Sequence, residues 1–172
     1  LPPAHAGAPA AGSAVLSALV VKASFFIIVR IWFDVLPEVP KLAAAQILAT
    51  FGAAAILFGG VLALRQERLK MVVAYSTVAQ IGYLFLIFPL VTGSALVPGL
   101  GTGAWTGGML QLVSHALAKA AMFMAAGLVY AALGHDRIRA NDFDLVVSSF
   151  AIVVAVMTLS FWPELQAFFG SL

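Results

Sequence analysis

The 172-residue sequence contains no cysteine, and only 9% of its residues are charged. Without cysteine there is no disulfide scaffold, no thiolate zinc site and no Cys-ligated iron–sulfur cluster. The scarcity of charge is equally informative. Soluble domains carry about 25% charged and about 45–50% apolar residues, whereas this chain is 63% apolar, with a mean hydropathy of +1.07. So short a chain has too little interior to hide that excess, which excludes a water-soluble domain. The net charge is +2, but the nine Lys and Arg are scattered among apolar runs and form no basic patch, which sets nucleic-acid binding aside. The first methionine is Met71, and there is no basic stretch followed by an apolar core and a small-residue cleavage site. The expectation is an internal or truncated piece of a longer protein.

A helix needs about 20 mainly apolar residues to cross roughly 30 Å of hydrocarbon. Five runs meet that length: 14–36, 42–64, 71–92, 106–133 and 145–162. Their separators hold Pro, Gly or charge, as in Pro37-Glu38-Val39-Pro40-Lys41 and Arg65-Gln66-Glu67-Arg68-Leu69-Lys70. Alternating segments of about ten residues, the mark of a membrane β-barrel, are not seen. Residues 8–14 read as a small-residue approach to the first run. The expected fold is an all-α membrane protein of about five transmembrane helices.

Lys and Arg are retained on the cytoplasmic side. If the runs alternate, the amino end and the loops at 65–70 and 134–144 share one side, with Arg65, Arg68, Lys70, Arg137 and Arg139. The opposite side has Lys41 and Arg30. The amino end is therefore expected in the cytoplasm and the carboxyl end outside. Trp32, Trp105 and Trp162 all fall at the external ends, where amphipathic rings favour the interface.

A charge at the bilayer centre costs about 2.5–3.5 kcal/mol on insertion scales and marks function by default. Lys22, Arg30 and Lys119 are the candidates. At about 1.5 Å per residue, Lys22 lies about 12 Å into the first run, Arg30 about 24 Å, and Lys119 about 20 Å into the fourth. Arg30 can snorkel outward and has Asp34 one turn away. Lys119 has no short route to water. His115 precedes it by one turn, and Gln111 and Ser114 share its stripe. A polar line on an apolar helix suits proton transfer, since lysine in a low-dielectric site and histidine both exchange protons near neutral pH. Gluing helices together is the other use of such a line. A haem site is disfavoured, because His5 and His135 read as loop residues. Lys22 has no carboxylate at its level in its own helix, so a partner has to come from another. Ser76, Gln80 and Tyr83, at i, i+4 and i+7, line the same polar file or serve only packing.

At this point the motifs resemble a known family. Leu1-Pro-Pro-Ala-His5 leading to Val21-Lys22 and Phe26-Ile-Ile-Val-Arg30 is similar to the stretch around the eighth transmembrane helix of antiporter-like proton-translocating subunits. That family includes the large membrane subunits of respiratory complex I, subunits A and D of Mrp-type cation/proton antiporters, and relatives in membrane-bound hydrogenases. Leu64-Arg-Gln-Glu-Arg-Leu-Lys70 followed by Ala74-Tyr-Ser-Thr-Val-Ala-Gln-Ile-Gly-Tyr83 resembles the loop and tenth helix, and His115-Ala-Leu-Ala-Lys119 the eleventh.

The resemblance implies that Lys22 is the central-channel lysine and that His115 and Lys119 belong to a hydrated polar axis. It also implies partner membrane subunits, a bacterial inner (plasma) membrane location, and protons as cargo with sodium or potassium as a possible counter-ion. Residues 1–138 match a partial proton-translocation domain of a roughly fourteen-helix subunit, and 139–172 form a divergent tail. Arg68 stands where the family usually has an acid, and the broken twelfth helix is not recognisable after Ile138.

Proton translocation through a Lys22, His115 and Lys119 relay is the leading expectation. No cofactor or metal site is read from the sequence. No redox site is present either, so any oxidoreductase label belongs to the assembled complex. A structural or assembly subunit, a small-solute carrier built on a broken helix, and an inactive truncated product remain as alternatives.

Overall fold

The computed structural model describes residues 1–35, 42–93 and 99–138. The expected fifth run at 145–162, with Trp162 and the tail 139–172, lies outside the described residues, as does Lys41. A short helix α1 (Pro2–Gly7) leads into four helices long and apolar enough to cross a membrane: α2 (Ala10–Val35), α3 (Leu42–Leu64), α4 (Leu69–Thr92) and α5 (Leu100–Leu133).

Three of the four follow the apolar runs closely, and α3 coincides with its run. Helix α5 begins six residues earlier than expected. Gly101 and Gly103 read as breakers, yet in an apolar setting unsatisfied backbone groups cost several kcal/mol each, so the helix persists through them. Residues 2–7 are also helical, as are residues 10–14 within the expected small-residue approach. Pro89, which has no N–H to give, accounts for the break at Leu86 inside α4. Helix α5 ends at Gly134, whose φ of 72° is the left-handed cap that glycine adopts without steric cost.

Helices α3 and α4 meet backbone to backbone. A Cβ placed on Gly52 would stand 2.6 Å from the Gly82 carbonyl oxygen and 2.8 Å from Phe85 Cβ, so only glycine fits there. Small residues of this kind let membrane helices approach where the hydrophobic effect cannot drive them together.

Helix α2 contains two π-turns, Leu16–Val20 and Ile31–Val35. Wide turns of this type occur mostly as single-turn bulges inside α-helices, frequently at functional sites. The first stands immediately before Lys22.

Polarity is inverted relative to a soluble protein. Leu19, Ile27, Phe51, Leu57, Phe58 and Leu128 are well exposed, whereas His5, Ser13, Ser17, Lys22, Thr77, His115 and Lys119 are buried. At one end of the bundle Phe88 gathers Phe25, Trp32, Phe33 and Phe85 around it. Trp105 meets Phe33 at 5.6 Å, so Trp32 and Trp105 share that end.

At the other end three segments are tied together. Leu69 N donates to Asp136 O (2.8 Å) and Ile138 N to Glu67 O (2.7 Å). Arg68 Nε donates to both carboxylate oxygens of Asp136, and the Lys70 ammonium donates to the Ala8 carbonyl. The amino end and the 65–70 and 134–138 loops therefore lie together, as alternation of the helices required.

Candidate functional site

The interior between these two ends holds the buried polar residues. Lys119 on α5 reaches across to α4, where its Nζ donates to Ser76 Oγ at 2.6 Å and to Val73 O at 3.3 Å. Ser76 and Thr77 each turn a hydroxyl proton back to the Val73 carbonyl, at 2.9 and 3.0 Å. Because the Thr77 proton is used in this way, Ser17 is the donor in the 3.0 Å bond between Ser17 Oγ and Thr77 Oγ1. That bond joins α2 to α4 on the side where Lys22 lies.

Lys22 donates to the Ser17 carbonyl, within the first π-turn. In a regular α-helix residues five apart face well away from each other. The wider turn brings them toward one face, so the helical irregularity and the buried ammonium are parts of one arrangement. Nearer the aromatic end, Gln111 Nε2 donates to Gln80 Oε1 at 2.8 Å.

His115 is buried on the same face of α5 and lies within electrostatic reach of both Lys22 and Lys119. Its two ring nitrogens have no hydrogen-bond partner among the described residues. The structure thus brings Lys22, His115, Lys119, Ser76, Gln80 and Gln111 to one interior, without a direct hydrogen bond between His115 and Lys119.

Two expected members stand apart. Tyr83 is 48% exposed, and Ser114 bonds back to the Gln111 carbonyl of its own helix. Arg30 behaves as the sequence suggests, with its side chain 63% exposed and its guanidinium paired with Asp34 at 2.6 Å. The three described acids, Asp34, Glu67 and Asp136, belong to helix ends and loops. Among the described residues, then, neither interior lysine faces a carboxylate.

Sequence reasoning missed Ser17, Thr77 and His5. The pairs Ser13 and Ser17, at i and i+4, and Ser76 with Thr77, are the signals that could have pointed to the first two. His5 is not a loop residue: it is fully buried in α1, with its ring stacked on Phe123 at 4.6 Å and 19°. Burial holds its pKa below the ordinary histidine value, with the charges of Lys70 and Lys119 adding to the effect. Its two ring nitrogens have no hydrogen-bond partner among the described residues. No group of three or more metal-binding side chains occurs among those residues.

Comparison with known proteins gives the family. The sequence is similar to F(420)H(2) dehydrogenase subunit M of Methanosarcina mazei, 35% identical over 96% of this chain and 31% of that protein. It is similar to NADH-quinone oxidoreductase subunit N of Desulforudis audaxviator, 33% identical over 99% of this chain and 33% of the relative. Subunit L of the Pseudomonas aeruginosa NADH-quinone oxidoreductase is 32% identical over 78% of this chain and 19% of its own length. The chain spans about a third or less of these relatives. Across residues 1–172 it matches the family described as NADH:quinone oxidoreductase/Mrp antiporter, transmembrane. With four apolar helices enclosing buried lysines and a match along its whole length, the chain belongs to this family of integral membrane proteins.

Proposed function

We propose that this chain forms the proton-conducting interior of an antiporter-like membrane subunit, in which Lys22, His115 and Lys119 relay protons. The observation that carries the reading is the pair of buried ammonium groups held by hydroxyl and carbonyl oxygens, with a histidine in reach of both. An uncompensated charge in such a place costs several kcal/mol. Moving one charge through 100 mV is worth about 2.3 kcal/mol, so a change in a neighbour's charge is enough to load or unload such a lysine.

The relatives are named as subunits of larger enzymes. Accordingly the partners are other membrane subunits, the redox chemistry or cation exchange is theirs, and sodium or potassium is a candidate counter-ion. The bound side of the 65–70 and 134–138 loops is the cytoplasmic face of a bacterial inner membrane, with the amino end on that side.

A structural reading has its own support in Gln80–Gln111 and Ser17–Thr77, which join helices without needing a charge. Lys119→Gln in the full-length subunit of the intact complex separates the two. Glutamine keeps a donor for Ser76 but cannot carry a proton. Proton uptake into inverted vesicles is expected to be lost while assembly persists; undiminished uptake overturns the relay.

A further inference from the structure

The polar interior stops abruptly on the side away from the loops. Along α4, Ser76 is followed one turn on by Gln80, and after Gln80 the buried side chains are Leu84, Ile87 and Phe88. Along α5, read in the same direction, Lys119 is followed by His115, Gln111 and Gly108. The two rows meet at one bond, in which Gln111 Nε2 donates to Gln80 Oε1 at 2.8 Å. Among the described residues it is the outermost side-chain hydrogen bond across the α4–α5 seam.

Directly beyond this bridge the seam is closed by apolar contact. Gly108 lies so close to Ile87 that a Cβ added to it would stand 2.6 Å from Ile87 Cδ1. Phe25, one turn past Lys22 on α2, packs edge-on against Phe85 at 5.5 Å and Phe88 at 6.0 Å. Phe25, Leu84, Ile87 and Phe88 belong to one buried cluster, against which Met109 and Leu112 of α5 are packed. Ala45 adds α3 to it, so all four long helices meet there.

An interior that holds mobile protons has to be closed at one end, or the gradient runs back through it. A pair of amides suits that closure. Glutamine offers donors and an acceptor, but to pass a proton it has to gain one on oxygen and lose one from nitrogen, and neither happens readily near neutral pH. In the bridge, a donor and an acceptor that would order a file of water at this level are turned on each other. The bond also holds α5 against α4, which keeps Ile87 seated on Gly108. Because α4 is locked to α3 where Gly52 meets Gly82, Gln80 fastens α5 to a fixed wall.

We propose that the Gln80–Gln111 bridge is an insulating clasp, which seals the lysine interior from the aromatic end of the bundle and keeps protons from leaking past the relay. Its role is opposite to that of a relay residue. Removing a relay residue slows driven transport, whereas removing the clasp lets protons through when nothing drives them. The inference rests on the proposed relay, since a seal matters only where protons move, and it adds the level at which they are stopped.

The test uses the full-length subunit of the intact complex in sealed vesicles. Passive proton entry is followed with an enclosed pH dye after an acid pulse, with no electron donor present, the membrane potential clamped by potassium and valinomycin, and rates normalised to assembled complex. Gln80→Ala and Gln111→Ala are expected to raise the leak about threefold or more, the change that loss of one neutral hydrogen bond allows. Gln111→Asn, a methylene too short to reach Gln80, is expected to leak as well, and it takes their place if the alanine variants fail to assemble. Replacing both glutamines by leucine restores contact across the seam without amides, so the leak is expected to stay at the parent value and driven uptake to persist. A parent-level leak in every assembled alanine and asparagine variant overturns the clasp. A leucine pair that stays tight but no longer pumps also overturns it, because the amides are then part of the conducting path. Lys119→Gln in the Gln111→Ala background keeps the relay separate. A leak that disappears there shows that protons reach the seam through Lys119, whereas a leak that persists leaves the clasp standing and overturns the relay through that lysine.

Discussion

The Lys119 ammonium is held across the helix interface by Ser76, with Nζ to Oγ at 2.6 Å, and Ser76 is itself oriented by its bond to the Val73 carbonyl. A hydroxyl that both accepts from lysine and donates to the backbone sets where the ammonium sits.

Removing that hydroxyl tests its role. Ser76→Ala leaves Lys119 with the Val73 carbonyl at 3.3 Å. A hydrogen bond to a charged group is worth about 1.5–3 kcal/mol, which corresponds to about a tenfold change or more in the equilibrium it controls. Proton uptake in inverted vesicles is expected to drop by that order while Ser76→Thr, which keeps the hydroxyl, stays near the parent rate.

The α3–α4 contact predicts a different kind of failure. Gly82→Val would force a side chain toward Ile56, whose N lies 3.1 Å from the ideal Cβ position, and onto the Gly52 carbonyl. Overpacking costs about 1–3 kcal/mol, and here the obstacle is backbone. The assembled subunit is expected to fall in yield and in thermal stability in detergent, measured by size-exclusion fluorescence. An unaffected transition temperature would show that the helices can separate without loss.

Arg68→Ala is expected to do little. The Arg68 side chain is 46% exposed and that of Asp136 12%, so the pair stays open to solvent on the arginine side, where ion pairs contribute about 0–1 kcal/mol. The backbone bonds from Leu69 N to Asp136 O and from Ile138 N to Glu67 O survive the substitution. Thermal unfolding should shift by no more than that amount, and 0.5 M salt should weaken the parent to match the variant.

His5 gives the amino-terminal helix a pH dependence. Its pKa is lowered in the folded state, mainly by burial and further by Lys70 and Lys119. The folded form therefore prefers neutral imidazole. The stability this provides is present above the ordinary histidine pKa of about 6.5 and is lost as pH falls below it. Hydrogen exchange of residues 1–10, corrected for the intrinsic rate, should quicken between pH 7 and pH 5, and His5→Phe should flatten the trend.

The sequence made Lys22, His115 and Lys119 legible because a charge in an apolar run stands out whatever the fold. Their surroundings were harder to see. Ser17 and Thr77 are small hydroxyls of a kind that membrane helices commonly carry, and Ser17 reaches Lys22 through a π-turn, which a 3.6-residue period cannot reveal. His5 was hidden by its context, since Pro2-Pro3 and Pro9 suggest a loop. Proline is in fact well placed at the start of a helix, where no N–H is needed. The same bias toward breakers delayed the expected start of α5. Tyr83 shows the limit of the opposite argument, because a residue on the right stripe can still end up at the rim.

The meeting of Gly52 with Gly82 has a mechanical consequence. Where two backbones touch there are no rotamers to exchange, so α3 and α4 cannot rearrange against each other by side-chain repacking. They form a stator, and α4 presents Ser76, Thr77 and Gln80 from a fixed wall. Rearrangement within the bundle is left to the long lysine side chains and to α2, where two π-turns interrupt the regular helix.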